Sequence, residues 1–448
     1  GARPVSRSPA APDPASADGA DRLPSGMDMM DSPPHPQPET RARTADRIRD
    51  FYEARPYPRP VEGLDGYQET WRDEGRRRAW HHLTWPDRPF AGPGRRILVA
   101  GCGTAQAARY ALRDSRHRVV GIDVSDTSLE ATRALKDRYG LEGLDLARLA
   151  LEEAGELRET FDLVVCTGVL HHLPDPLRGL RALTEVLAPG GALHLMVYAP
   201  YGRAGVYMIQ RYARLLGLTA SDRDVDDLAA TLKEIPEHHP LRFLFEKSPD
   251  FRSREGLADA LLNPQDRAYS VPELLELVDA AGLRFGRWLR QAAYQPQCGA
   301  PLLTPHRDRL AGLDPPAQWT AMELFRGTMV RHSALVRRAD GALPGPEAEA
   351  LALEDGAWGG WVPVRRADTL AVTDGIPDTA AAVLLNRTHD YTDLYLPVDV
   401  DQAALFAAVD GRRTLNEIIG SKGDRDAARS FFQRLWWYDQ IVFDSSRV

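Results

Sequence analysis

Apolar and polar positions alternate most regularly between residues 95 and 198, where the pattern switches repeatedly between the periods of strand and helix. RRILVA is a run of strand formers, GCGTAQ a glycine turn, AARYALRD a helix, and HRVVGID a second strand closing on an acid. SDTSLEATRALKDRYG follows, a helix with Ser at its cap and Gly140 at its end. LDLARL and FDLVVCTGV are strands. DPLRGLRALTEVLAPGG is a helix capped by Asp175, opened by Pro176 and stopped by Pro189, Gly190 and Gly191, and ALHLMVYA is a further strand. Strands alternating with helices over about 100 residues predict βαβ units and a doubly wound, mainly parallel sheet.

The flanks read differently. Residues 1–40 are rich in Pro, Ala, Ser and Asp with no aromatics, a composition that cannot offset its ordering entropy, and are expected to be a disordered tail. Residues 41–94 are expected to form a helical lid segment: a short helix ended by the prolines of ARPYPRP, then Tyr67, Trp71, Trp80, His81, His82 and Trp85 interleaved with Arg72, Arg76, Arg77 and Arg78. Residues 95–338 make the main domain, with a helical cap inserted at about 200–270 and an amphipathic helix from about Pro272 leading to a strand at Gly282. Residues 339–356, rich in Gly, Pro and Glu, read as a linker. Residues 357–448 read as WVPVRR, AAVLLN and LYLPVD strands, three short helices and a terminal IVFD strand, a small winged-helix-like α+β module.

Composition narrows the classes. The chain has 448 residues, 56 basic and 64 acidic, a net charge of −8, so it lacks the basic footprint of a nucleic-acid binder. No apolar run approaches the ~18 residues of a membrane helix, and no secretory signal is visible. Three widely spaced cysteines, Cys102, Cys166 and Cys298, give neither a disulfide framework nor metal-ligand spacing and fit a reducing, cytoplasmic compartment. Twelve scattered histidines supply no metal set. The adjacent pairs at 81/82, 171/172 and 238/239 are expected to point their side chains apart, and the expected metal complement is none.

The chemistry concentrates at Ala100-Gly101-Cys102-Gly103, where a strand runs into a glycine turn and then a helix. Glycine permits positive φ and close approach of a ligand to the backbone, and a helix amino end offers N–H groups to an anion. Asp123, twenty residues after Gly103 at the end of the second strand, is placed to accept both hydroxyls of a ribose. A dinucleotide fingerprint needs a third glycine where this chain has Gln106. That disfavours NAD, while S-adenosylmethionine presents a single amino-acid carboxylate and ammonium to such a turn, a smaller anion that tolerates the larger side chain.

These residues resemble the class I S-adenosylmethionine-dependent methyltransferases. The resemblance is carried by VAGCGTAQ, VVGIDVS, FDLVVCTGVLHHLPDP and LRALTEVLAPGGALHLMVY in that order, and covers about residues 95–200. It implies a seven-stranded sheet, S-adenosylmethionine as cofactor, and a cofactor site from Ala100, Gly101, Cys102, Gly103, Gln106, Asp123, Val124, Thr167 and Gly168. Relatives place an Asp after the third strand for the adenine amino group. Here the stretch is Leu149-Ala150-Leu151-Glu152, so Leu151 packing and Glu152 are expected to stand in.

Ligands in open α/β sheets bind at the carboxyl ends of strands, so His171 and His172 after the fourth strand and Tyr201 after the fifth are the catalytic candidates. Tyr57, His81, His82, Tyr198, Arg203, Asp266, Arg267 and Tyr269 are the acceptor-binding candidates. Local packing is the competing explanation for most of them, and for Asp266–Tyr269 it is a capping loop in which Ser270 and Glu273 start a helix. Cys102 reads as a small filler. The expected activity is methyl transfer to an unidentified acceptor, with a peptide or natural-product intermediate as one reading because the carboxy-terminal module resembles small peptide-recognising domains beside peptide-modifying enzymes. A sensor or scaffold that binds S-adenosylmethionine without methyl transfer is the alternative.

Overall fold

The computed structural model describes residues 38–341, 356–421 and 423–447. The tail expected over residues 1–40 and the linker expected over 339–356 fall mostly outside them. Seven strands, β1 (Arg96–Ala100), β2 (Arg118–Asp123), β3 (Leu144–Arg148), β4 (Phe161–Thr167), β5 (Leu187–Tyr198), β6 (Leu283–Trp288) and β7 (Arg331–Arg338), form one sheet in the order β3-β2-β1-β4-β5-β7-β6. β1 to β5 pair in parallel, and β7 runs antiparallel to both its neighbours. This is the expected doubly wound sheet. Each central strand is apolar on both faces: Leu98, Ala100, Val164 and Cys166 enter one core, and Ile97, Val99, Leu163 and Val165 the other.

The helices follow in chain order: α1 (Pro38–Ala54), α2 (Asp65–Arg72), α3 (Glu74–Thr84), α4 (Gln106–Arg113), α5 (Asp126–Tyr139) and α6 (Pro176–Glu185). Ser125 caps α5 by accepting from Ser128 N at 3.1 Å, and Gly140 closes it in the left-handed region at φ 59°. Asp175 caps α6 at Arg178 N, 3.1 Å. α6 ends earlier than its sequence predicts. Pro189, Gly190 and Gly191 lie inside β5, where the register with β4 jumps from Phe161↔Leu187 to Leu163↔Ala192, so they make an irregularity in a strand and not a helix stop.

Between β5 and β6, α7 (Ala204–Leu215), α8 (Asp222–Lys233), α9 (Arg242–Lys247) and α10 (Arg254–Leu262) build a layer with its own core of Val206, Ile209, Val225, Leu228, Leu232 and Leu261. Phe51 of α1 joins that core. α11 (Val271–Ala280) begins with the expected capping box, Glu273 Oε2 accepting from Ser270 N and Oγ, both at 2.8 Å. α12 (Arg307–Ala311) and α13 (Pro315–Arg326) precede β7. α2 and α3 dock on α4 through Arg113, whose guanidinium carbon lies 3.9, 4.4 and 5.0 Å from the rings of Tyr110, Trp71 and Trp80.

Beyond residue 356, β8 (Val362–Arg365) pairs with the terminal β12 (Ile441–Asp444), while β9 (Thr369–Val372), β10 (Ala382–Asn386) and β11 (Tyr395–Val398) form a separate antiparallel sheet. β9 is missed by the sequence reading. α14 (Val400–Ala407), α15 (Leu415–Ile419) and α16 (Arg425–Trp437) are the three short helices read from the sequence. The winged-helix likeness is not confirmed, because β8 leaves the three-stranded sheet and pairs only with β12. This region is also tied to the main sheet: Val364 and Val442 enter the core beneath α3, and buried Asp439 faces Arg287 of β6 at 3.7 Å.

Candidate active site

The strand order reverses between β1 and β4, and the loops leaving the carboxyl ends of β1, β2, β4 and β5 meet there. Gly101 and Gly103 adopt φ of 68° and 53°. A Cβ on Gly101 would stand 2.3 Å from Val169 Cγ2, so the loop after β4 seats directly on this turn. The amides of Gly101 and Cys102 both donate to Ile122 O at 2.9 Å, which ties the turn to β2. Asp123 finishes the link. Its Oδ2 accepts from Gly103 N at 2.8 Å and its Oδ1 from Ser125 N at 3.0 Å. Burial pushes its carboxyl upward while those N–H bonds pull it back. Gln106 donates from Nε2 to Thr167 Oγ1 across to β4, and Gly168 follows at φ 81°. Cys102 is buried, and burial followed by the Asp123 charge holds its thiol well above the ordinary range, so it is no nucleophile.

The segment after α1 covers this turn. Thr104 Oγ1 donates to Pro58 O at 2.7 Å, and Tyr57 O lies 3.6 Å from where a Gly103 Cβ would sit. The helix is latched to the cap on its other side: Tyr52 OH donates to Asp259 Oδ1 at 2.8 Å and accepts from Asn263 Nδ2 at 3.0 Å. Tyr57 OH bonds Asp250, and Arg55 bonds Asp222 and, at 2.8 Å, Ala220 O. Tyr52, Asp250, Asp259, Asn263 and Gln210 make these polar contacts around the cluster and are absent from the candidates drawn from the sequence, where polarity is their only signal.

Under this cover His171, His172, Tyr198, Arg203 and Asp266 come together. His171 and His172 occupy a single short 3₁₀ turn after β4. Their ring centroids are 4.2 Å apart, and those of His81 and His82 in α3 are 5.0 Å apart, which corrects the expectation that adjacent histidines diverge: rotamers set by the surrounding packing bring neighbouring rings together in the turn and in the helix alike. His171 lies 3.9 Å from the Tyr198 ring, over which Arg203 stacks at 3.5 Å. Asp266 Oδ2 accepts from Gln210 Nε2 at 2.9 Å and from Arg203 at 3.4 Å. Burial, then His172 and Arg203, hold the His171 imidazole well below its usual range. Burial and the Asp259 charge keep the Tyr198 phenol protonated.

The other candidates lie elsewhere. His81 donates from Nε2 to Arg88 O at 2.9 Å, and His82 faces Asp444 of β12 at 3.6 Å. α3 leads into Trp85, whose indole bonds Asp162 O at the amino end of β4, so these histidines are at the opposite end of the sheet from the glycine turn. α1 and residues 55–60 thus lie over the glycine turn, whereas the Arg113 contacts hold α2 and α3 on the flank. Tyr201 is 39% exposed and outside the cluster. Arg267 turns to Glu273 at 3.4 Å and stacks on Tyr269, but its amide holds His171 O at 3.0 Å, and the Tyr269 amide holds Tyr198 O at 2.9 Å. Leu151 is buried in the core beside the β4 turn, and burial raises the Glu152 carboxyl.

A doubly wound sheet with a glycine turn and a buried acid at the switch point defines a protein that binds a nucleoside. Comparison with known proteins specifies it. A family model described as a methyltransferase domain matches residues 98–193. The chain is 31% identical over 290 residues to an uncharacterized protein, syc1184_c, of Synechococcus sp., spanning 61% of this chain and 67% of that one. It is 36% identical over 115 residues to a ubiquinone biosynthesis O-methyltransferase of Hahella chejuensis, covering 25% of this chain and 46% of the relative, so the match spans about half that enzyme's length. The structure of PKMT2 from Rickettsia typhi in complex with AdoHcy superposes with a TM-score of 0.57 over 84% of this chain and 76% of the other, at 13% identity, and shares the fold. The chain belongs to the class I S-adenosylmethionine-dependent methyltransferases, in one family with the Synechococcus protein.

S-adenosylmethionine is its cofactor, and the residues fit it. Each Asp123 oxygen uses one lone pair on a backbone N–H and retains another for a ribose hydroxyl. Gly101, Gly103 and Gly168 hold φ of 68°, 53° and 81°, so the turns after β1 and β4 adopt a left-handed backbone that leaves no side chain of their own in the site. Bound there, the cofactor supplies an electrophilic methyl on a sulfonium.

Proposed function

We propose that the protein methylates a hydroxyl group on an acceptor small or thin enough to enter beneath α1, and that His171, His172, Tyr198 and Asp266 form the acceptor end of the site. The carrying observation is the meeting of these groups next to the glycine turn: the β4 loop that holds both imidazoles is the loop whose Val169 seats on Gly101. In the transfer an O–CH3 bond forms, an S–CH3 bond breaks and the acceptor loses one proton. The protein's part is to align the oxygen, exclude water and draw off that proton at the cluster. Arg203, 6% exposed and stacked on Tyr198, orients the aromatic wall and the Asp266 carboxylate. The latching of α1 to the cap by Tyr52, Arg55 and Tyr57 supports a slender acceptor such as a phenolic small molecule or an extended peptide side chain. The similarity to O-methyltransferases of ubiquinone biosynthesis supports oxygen as the nucleophile.

The three cysteines are free and buried, and no helix among the described residues is long and apolar enough to cross a membrane. Both support a cytoplasmic placement. The test is release of S-adenosylhomocysteine against panels of phenols, aliphatic alcohols, amines and hydroxyl-bearing peptides, with His171→Ala beside the wild type. Turnover on phenols or alcohols that falls at least tenfold in the variant, with S-adenosylhomocysteine affinity unchanged, supports the reading. Turnover confined to amines, or unaffected by the variant, refutes it.

A further inference from the structure

His171 is wholly buried, yet neither ring nitrogen has a hydrogen-bond partner, and Oδ1 of Asp266 is in the same state. Buried polar atoms are nearly always paired, so three orphans in one place point to a ligand. His172 donates its Nδ1–H to the carbonyl of Gln265 at 2.7 Å, which leaves the lone pair on Nε2. The potential donor atoms of His171, His172 and Asp266 all lie within 4.8 Å of one another. The loops that carry them are pinned together, since Arg267 N donates to His171 O at 3.0 Å.

We propose that His171, His172 and Asp266 bind one divalent first-row transition cation, and that the acceptor hydroxyl occupies its open position. Two imidazoles and one carboxylate are the donor set of three-ligand sites for zinc and its neighbours, which keep a position free for water or substrate. The surroundings match. A metal-ligating imidazole is typically oriented by a hydrogen bond from its other nitrogen, as Gln265 O provides for His172. A ligating carboxylate is oriented through its second oxygen, as Gln210 and Arg203 provide at Oδ2 of Asp266 while Oδ1 stays free. Arg203 repels a second cation and weakens the site, so the affinity expected is that of a readily exchanged ion. The cation would acidify a coordinated hydroxyl, whose O–H bond breaks with the proton passing to water before methyl transfer while the oxygen stays on the acceptor, with no change of oxidation state.

This inference rests on the cluster being the acceptor end of the site, and its test is independent of turnover. The full-length protein is stripped with a chelator, dialysed against zinc, and assayed by elemental analysis. In parallel it is titrated with cobalt(II) and its visible d–d spectrum recorded. One equivalent of zinc per chain and a cobalt spectrum of nitrogen and oxygen ligation are expected. His172→Gln and Asp266→Asn should each cut zinc occupancy at least tenfold while keeping the wild-type circular dichroism and S-adenosylhomocysteine affinity. A wild-type protein that holds no stoichiometric zinc and gives no cobalt spectrum overturns the proposal, as does zinc retained equally by both variants. Methylation of hydroxyls by metal-free protein at the wild-type rate would sink the cation and spare the acceptor reading.

Discussion

Asp123→Asn separates the two tasks of one side chain. The carboxylate accepts backbone N–H groups on both oxygens, from Gly103 at 2.8 Å and Ser125 at 3.0 Å. Asparagine has one carbonyl oxygen, so one of these amides must face an NH2 group that cannot accept from it. A buried donor left unpaired costs about 1–3 kcal/mol of stability. The amide also presents one acceptor to the ribose where the carboxylate presents two, and loss of a hydrogen bond to a charged group costs about 1.5–3 kcal/mol, or about 10- to 100-fold in affinity. Calorimetry with S-adenosylhomocysteine reads the second quantity, and urea unfolding without ligand reads the first. Both losses are expected. Affinity within twofold of the wild type would refute the ribose role, and lost stability with intact affinity would reduce Asp123 to a brace for the glycine turn.

Three further outcomes are expected. Gly101→Ala places a methyl 2.3 Å from Val169 Cγ2 on a residue at φ 68°, so cofactor affinity should fall, and Gly101→Ala with Val169→Ala should recover part of it; no recovery would mean that backbone strain of about 1–2 kcal/mol dominates the contact. Ending the chain at residue 341 removes Asp439 from beside Arg287 and the Trp436 carbonyl that accepts from Gln291 at 2.5 Å, and loss of one partner of a buried ion pair costs about 3–5 kcal/mol. The truncated chain should therefore be insoluble or lack a cooperative unfolding transition, and truncation that keeps cofactor affinity while abolishing turnover would instead mark the carboxy-terminal region as an acceptor-recognition module. Burial pushes His81 and His194 down to about 3 and His117 to about 4, and His117 Nδ1 accepts from Arg95 N at 3.1 Å in its neutral form. Each folded value lies below the unfolded value of about 6.5, so the unfolded chain binds more protons in between: the stability is complete above pH ~6.5 and is lost as pH falls toward 4, by up to about 1.4 kcal/mol per unit per imidazole. Urea midpoints at pH 7 and pH 5 check this, and equal midpoints would refute it.

Local chemistry made much of the cofactor half legible. The glycine turn, the acid ending β2, and the caps Ser125 and Asp175 depend on contacts within a few residues, and each is where its sequence places it. The break at Pro189 was misread because a register jump in β5 depends on its partner strand β4. The acceptor half was legible only as a list of polar residues near strand ends. His171 and Tyr198 were on that list beside His81 and His82, and nothing in the spacing separated the pairs.

By itself the sequence determined the doubly wound sheet, the nucleoside-binding turn and its carboxylate, since strand and helix periods and positive-φ glycines are properties of short segments. Tertiary structure alone decided the order of β6 and β7, the latching of α1 onto the cap through Tyr52, Arg55 and Tyr57, and the tie between Asp439 and the main sheet. It also decided that His171, His172 and Asp266 converge while His81 and His82 go to the far end. These are contacts across tens to hundreds of residues, fixed by which apolar faces bury against one another, and burial is a property of the whole folded chain.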